Sequence, residues 1–192
     1  MPDRGCLIVI SGPSGAGKTS ICKALLEQLA DTVWSVSATT RRPRRGERNG
    51  ESYEFISRAE FDTRAAGGEF LESAEYIGER YGTPRRPVEE ALAAGRNVVM
   101  EIDIQGGMQV AAKVPESVRI FVLPPNMASL RARLEGRKTE AEEQLAKRLA
   151  EADGEIAIAR DSGAYPHFVV NDVLENTIDE VKRIVQKERG EP

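Results

Sequence analysis

The sequence is poor in the residues that build metal and nucleophile centres. It has two cysteines, Cys6 and Cys22, and one histidine, His167, in 192 residues. Disulfide scaffolds and zinc sites need more cysteines or histidines at tighter spacing, so both thiols read as buried, reduced residues. A lone histidine at the head of an apolar stretch supports no Ser-His-Asp arrangement, and it reads as a strand-edge residue. No apolar run is long enough to span a bilayer, and residues 1–5 are too short for the basic and apolar regions of a signal peptide, so the cytosol is the expected location. Internal repeats and low-complexity tracts are lacking too. The net charge is −4, from 27 Lys and Arg against 31 Asp and Glu, which argues against general nucleic-acid binding. With 40% apolar and 30% charged residues the chain fits neither a disordered tail nor a membrane protein, and its length suits one domain with small inserted lobes.

One early stretch organises what is present. Cys6-Leu7-Ile8-Val9-Ile10-Ser11 is strand-forming, and Gly12-Pro13-Ser14-Gly15-Ala16-Gly17-Lys18-Thr19 fits G-x-x-x-x-G-K-[ST]. Ile21, Leu25, Leu26 and Leu29 then recur at helical intervals. Strand, glycine-rich loop and helix are the parts of a polyphosphate cradle: backbone N–H groups turn inward, the helix N-terminus adds partial positive charge, and a lysine reaches the β and γ phosphates. Thr19 would offer its hydroxyl to Mg²⁺. The bland alternative is a glycine-rich turn that happens to precede a lysine.

Further along, residues 34–40 read as a short alternating strand. Five arginines follow within eight residues, Arg41, Arg42, Arg44, Arg45 and Arg48, and Asn49-Gly50 marks a turn before a second short strand at residues 53–56. The arginine run is a solvated face, a nucleic-acid patch or a site for one small polyanion. Ser57-Arg58-Ala59-Glu60 starts a helix that Gly67-Gly68 stops. Residues 70–83 read as irregular. A helix is expected over residues 88–94 and a strand over 97–104, with Glu101 and Asp103 projecting to one side near the carboxyl end, where a carboxylate suits Mg²⁺ or its water shell and where a capping or surface pair is the alternative. Residues 118–123 give a third strand. Asn126 caps a helix that stops at Gly136, and Thr139-Glu140-Ala141-Glu142 opens a longer one. Arg131, Arg133, Arg137, Lys138, Lys147 and Arg148 surround the joint between them. Residues 167–171 make a fourth strand, and Thr177-Ile178-Asp179-Glu180 caps a last amphipathic helix.

A polyphosphate loop, a metal-side acid and two arginine clusters suggest two anionic substrates held end to end for phosphoryl transfer. The chain resembles the guanylate kinases over nearly its whole length. The resemblance rests on the loop, on Ser35-Val36-Ser37-Ala38-Thr39-Thr40-Arg41-Arg42-Pro43-Arg44 with Gly46-Glu47 and Asn49-Gly50, and on Tyr81-Gly82-Thr83. It rests equally on Glu101-Ile102-Asp103 with Gln105-Gly106, on Arg133-Leu134-Glu135-Gly136-Arg137 and on Val170-Asn171-Asp172. It implies an α/β fold with a P-loop NTPase-type parallel sheet flanked by helices, forming a single domain over residues 1–192. The core would cover about residues 1–34, 87–125 and 151–192, with an inserted β-rich GMP-binding lobe at about 35–86 and a helical lid at about 126–150.

The resemblance also implies roles. ATP would be held by residues 12–19 and Asn171, the last near its base, with Mg²⁺ at Thr19 and at Glu101 and Asp103 through water. The GMP phosphate would meet Arg41, Arg44, Tyr53 and Tyr81, and the guanine Ser37, Glu72, Thr83 and Asp103. Lys18, Arg137 and Arg148 would act on the transferring phosphoryl group, assisted by Arg133. The implied activity converts ATP and GMP, and dGMP as well, to diphosphates in purine metabolism, with neither nucleic acid nor membrane as partner. Lys138 stands where the family commonly has glycine. Two alternatives share the resemblance: a non-enzymatic guanylate-kinase-like interaction module, and a nucleoside monophosphate kinase of other base specificity.

Overall fold

Strand β1 (Leu7–Ser11) is buried at every position, as a central parallel strand covered on both faces must be. In the computed structural model, which describes residues 5–76, 78–135 and 142–190, β1 runs through the glycine-rich loop into α1 (Lys18–Gln28) and on to β2 (Thr32–Trp34). A second block follows: β3 (Ala38–Thr39), β4 (Glu54–Phe55), α2 (Arg58–Ala66), β5 (Phe70–Tyr76) and β6 (Glu79–Pro84). The chain returns through α3 (Arg85–Ala93), β7 (Asn97–Glu101), α4 (Ile104–Lys113) and β8 (Val118–Leu123). It closes with α5 (Met127–Glu135), α6 (Glu142–Asp161), β9 (His167–Val170) and α7 (Leu174–Glu188).

The main sheet has the order β2-β7-β1-β8-β9 and is parallel throughout. Alternation along β1 divides the core between the two sheet faces. Ile8 and Ile10 pack with Ile21, Leu25, Val181 and Val185 of α1 and α7, while Leu7 and Val9 pack with Val88, Leu92 and Val110 of α3 and α4. Each such side chain, fully buried, contributes about 1.5–3 kcal/mol. A smaller mixed sheet, β4-β3-β6-β5, forms the inserted lobe, and Phe61 stacks on Phe70 beneath it at 4.5 Å.

Several expectations are corrected. Residues 34–40 do not form one strand: Trp34 ends β2 on the main sheet and Ala38 begins β3 on the other, so residues 35–37 are the passage between sheets. Residues 70–83 are not irregular but an antiparallel hairpin, β5 against β6. The strand expected over 97–104 stops at Glu101, and Asp103 instead caps α4, its Oδ1 accepting from Gly106 N at 2.8 Å. Thr177 lies inside α7, not at its cap, since the helix starts at Leu174. α3 begins three residues earlier than expected, at Arg85. Ser57 does cap α2, accepting from Glu60 N at 3.1 Å, and Asn126 accepts from Ser129 N at 2.8 Å. Thr139, Glu140 and Ala141 of the expected capping box fall in residues 136–141, outside the described residues, as do Gly136, Arg137 and Lys138, while Glu142 opens α6.

Candidate active site

The two sheets face each other across a cleft of about 840 Å³, lined by Gly12, Lys18 and Thr19 on one side and Ser37, Glu72 and Tyr81 on the other. On the main-sheet side the loop needs glycine where other strands crowd it. A Cβ at Gly12, whose φ is +146°, would lie 2.3 Å from Val122 O, and one at Gly17, at φ +96°, would lie 2.2 Å from Asn171 Nδ2. Lys18 Nζ donates back to Gly12 O at 2.6 Å and Pro13 O at 3.1 Å. Burial lowers its pKa, and Glu101 opposes the shift.

Thr19 Oγ1 donates to Glu101 Oε1 at 2.8 Å, so the hydroxyl beside the loop and the carboxylate at the end of β7 converge. Hard oxygen donors of this kind fit Mg²⁺, which takes one or two protein oxygens and completes its shell with phosphate oxygens and water. Asp103 points to its helix cap and contributes more as a neighbouring charge than as a partner of Glu101.

Across the cleft, Glu72 on β5 pairs in register with Thr83 on β6. Thr83 Oγ1 donates to Glu72 Oε1 at 2.7 Å, and Ser37 Oγ lies 3.5 Å from Thr83 Oγ1. Three residues far apart in sequence thus form one polar group in an otherwise closed wall, with Glu72 only 4% exposed. Burial pushes the Glu72 carboxyl up to about 7; the Thr83 hydrogen bond opposes the shift and the Asp103 charge adds to it. Such a group can receive two adjacent N–H donors and match a neighbouring acceptor.

Arg41, Tyr53 and Tyr81 form a second group at the rim. The Arg41 guanidinium lies 5.4 Å from the Tyr53 ring centre, and the two tyrosine rings meet edge to face at 6.0 Å. Glu47 was named in the family pattern without a role. It holds Arg41 by two hydrogen bonds, 2.8 and 3.1 Å, and also accepts from Arg44 N at 2.6 Å. Its spacing three and six residues beyond Arg44 and Arg41 was the available signal. The Arg44 side chain is exposed. Arg48 pairs loosely with Glu51 at 3.7 Å on the surface, in line with a solvated face. Glu155 on α6 went unnoticed in the sequence. It lines the same cleft, and burial pushes its carboxyl up to about 7, with the Lys18 charge opposing.

The basic joint is partly neutralised by its own helices. Arg131 pairs with Glu135 and Glu142, each at 2.8 Å, and Lys147 lies 3.9 Å from Glu151. Arg148 is half-buried on α6. Arg133 does not reach into the cleft: its Nη2 donates to Asn171 O at 2.8 Å. Asn171 is turned to the phosphate loop instead of a base site, with Nδ2 donating to Ala16 O at 2.7 Å. His167 lies at the head of β9 beside Glu188, 3.3 Å away, while Cys22 is buried in α1 and Cys6 is half-buried just before β1. No helix among the described residues is long and apolar enough to cross a membrane.

Comparison with known proteins agrees with this geometry. The sequence model of one family, guanylate kinase, matches residues 4–188. A guanylate kinase of Lactobacillus delbrueckii subsp. bulgaricus is 46% identical over 98% of this chain and 91% of its own length. One from Clostridium perfringens (strain SM101 / Type A) is 48% identical over 97% and 85%. The crystal structure of guanylate kinase from Anaplasma phagocytophilum superposes with a TM-score of 0.78 at 34% identity, covering 97% of this chain and 87% of that one. With a parallel sheet carrying the glycine-rich loop, a mixed-sheet lobe facing it and matches over nearly every residue, the chain belongs to the guanylate kinase family.

Proposed function

We propose that this chain transfers the γ-phosphoryl group of ATP to GMP, and to dGMP, giving ADP and the corresponding diphosphate. The observation that carries the reading is the Glu72–Thr83–Ser37 group facing the phosphate loop across one cleft. Guanine presents N1–H and its N2 amino group side by side, which a carboxylate at Glu72 accepts together, while O6 accepts from the Ser37 hydroxyl and Thr83, its proton given to Glu72, holds the carboxylate in place. Adenine lacks the N2 group and places an acceptor at N1, which would leave part of the buried carboxylate without a donor, so discrimination by roughly 10⁴-fold or more follows.

The phosphate of GMP is largely ionised at neutral pH, so its oxygen attacks the γ-phosphorus without a general base. The new P–O bond forms as the bond to the ADP oxygen breaks, and the negative charge passes to the β-phosphate. Lys18 would move from its loop carbonyls to the β and γ oxygens, where each charge-assisted hydrogen bond contributes roughly 1.5–3 kcal/mol. Arg41 with Tyr53 and Tyr81 would hold the acceptor phosphate, joined by Arg44 once its exposed side chain swings inward. Arg137 and Arg148 would come from the lid side to the transferring group. Thr19 would hold Mg²⁺ directly and Glu101 through water, with Asp103 behind it; bound there, the ion would supply positive charge to offset that of the ATP phosphates. Closure of the lobe and lid excludes water, which would otherwise accept the phosphoryl group.

A coupled ADP-release assay across GMP, dGMP, AMP, CMP and UMP tests the reading. Turnover confined to the guanine nucleotides is expected. Turnover with AMP or a pyrimidine nucleotide would transfer the chain to another base specificity. No turnover with any of them would favour a protein-binding module, although the Thr19–Glu101 pair and Lys18 serve no evident purpose there. The chemistry suits a place in purine nucleotide metabolism, in the cytoplasm.

A further inference from the structure

Asn171 is a buried polar residue between three parts of the molecule. Its side chain is 5% exposed with the rest of the residue, and both of its polar atoms are engaged. Nδ2 donates to Ala16 O at 2.7 Å, and Oδ1 accepts from Thr177 Oγ1 at 3.2 Å. Thr177 lies inside the first turn of α7, and its one hydroxyl proton is shared with Val173 O at 3.0 Å, so the hydroxyl sits between the helix and the amide. The main chain of Asn171 is pinned as well: its N–H donates to Leu123 O at 2.8 Å at the end of β8, and its carbonyl accepts from Arg133 on α5. The Ala16 peptide that the amide grips is followed by Gly17, where a Cβ would lie 2.2 Å from the same nitrogen. Glycine at 17 and asparagine at 171 therefore fit each other.

We infer that Asn171 is a positioning residue for the phosphate loop, holding the Ala16–Gly17 turn so that the following N–H groups face the phosphates of ATP. The physical ground is that a peptide can aim its N–H at an anion only if its neighbours are fixed. The Ala16 carbonyl is turned to the buried Asn171 amide and needs that donor, because leaving it unpaired would let the turn rotate. That carbonyl, which can only accept, sets which way the amide faces, and the Thr177 hydroxyl, its one proton shared between Val173 O and Oδ1, holds the amide oxygen in place. Thus α7, which never touches the cleft, orders the loop through two side chains. This inference rests on the reading of residues 12–19 as the ATP phosphate site.

Three variants separate the positioning role from a contact with the base. Asn171→Asp keeps the acceptor that could meet an adenine amino group but loses the donor to Ala16 O. Asn171→Ala loses both. Thr177→Val removes only the hydroxyl that holds the amide oxygen. The expected result is a rise in the KM for ATP of about tenfold in both Asn171 variants and about threefold in Thr177→Val, with the KM for GMP within about twofold of wild type. The Asp defect should shrink as pH falls, because a protonated carboxyl regains an O–H donor toward Ala16 O, whereas the Ala defect should not.

A folded Asn171→Asp variant with wild-type KM for ATP, beside an impaired Ala variant, would overturn the inference in favour of a base contact. Equal losses for ATP and GMP would reduce Asn171 to a general support of the fold and overturn it too. Equilibrium titration of the wild-type protein with MgATP keeps the two readings apart. Absent binding there would reject the loop as an ATP site, and the inference with it, while normal wild-type binding with unaffected variants would reject the inference alone.

Discussion

Thr19 Oγ1 donates to Glu101 Oε1 across 2.8 Å, joining two residues 82 apart in sequence at the point where the loop helix meets the end of β7. The pair presets the hydroxyl's direction. Glu101→Gln keeps the size but removes the charge, so the Mg²⁺ concentration for half-maximal transfer should rise by about tenfold or more, as loss of an outer-shell carboxylate commonly does. A titration of activity against Mg²⁺ at fixed ATP and GMP measures it. An unchanged midpoint would take Glu101 out of the metal site.

Lys18→Ala should lower single-turnover transfer by about 100-fold or more while leaving thermal unfolding nearly as in wild type. The lysine touches two loop carbonyls and carries no apolar packing that the core requires. Near-normal transfer by the variant would reject the assigned chemistry.

Glu72 links binding to pH. Its carboxyl, raised to about 7 by burial, must be ionised to accept from guanine. The dissociation constant for GMP should therefore climb as pH falls below about 7, by up to about tenfold per unit. Glu72→Gln should bind GMP far more weakly, with a narrower ratio of GMP to AMP, and should lose this part of the pH dependence. Stability moves oppositely. A carboxyl whose folded pKa lies above its unfolded value contributes stability that is present below about 4.5 and lost as pH rises through about 7. The melting temperature of Glu72→Gln should thus gain on wild type between pH 5 and 8. Parallel melting curves, or unaltered GMP binding, would mean that Glu72 is not the guanine reader.

The two arginine groups should separate kinetically. Arg41→Ala and Arg44→Ala should mainly raise the KM for GMP, because an acceptor-phosphate anchor acts in ground and transition states alike. Arg137→Ala should mainly lower kcat, because a lid cation meets charge that develops during transfer. Of the two anchors Arg41 should matter more, since Glu47 already holds it beside Tyr53. The same kinetic signature in all three variants would refute the division.

The main sheet was legible because β1, β7 and β8 are dominated by buried apolar residues, broken in β8 only by Arg119, the mark of strands covered on both faces. What escaped reading had physical reasons. The β5–β6 hairpin carries Glu72 at a buried position, which breaks the alternation that would have announced a strand. α4 went unseen because Gly106-Gly107 resembles a helix stop. There glycine answers a need for space instead: a Cβ at 106 would lie 2.6 Å from Glu72 Oε2, and one at 107 would run into the Tyr165 hydroxyl. The site itself came from resemblance, as nothing in the spacing of Ser37, Glu72 and Thr83 shows that they meet.

The sheet order also governs how the protein is made. β1 lies between β7 and β8, whose first residues are Asn97 and Val118. On the ribosome β1 therefore emerges before both of its partners and waits until Asn97 and then Val118 have been synthesised before either edge is paired. The phosphate loop waits longer still, because the amide that grips Ala16 arrives only with residue 171. During that interval the β5–β6 hairpin, whose strands pair across few residues, can form locally, while β1 remains a target for chaperones and for aggregation.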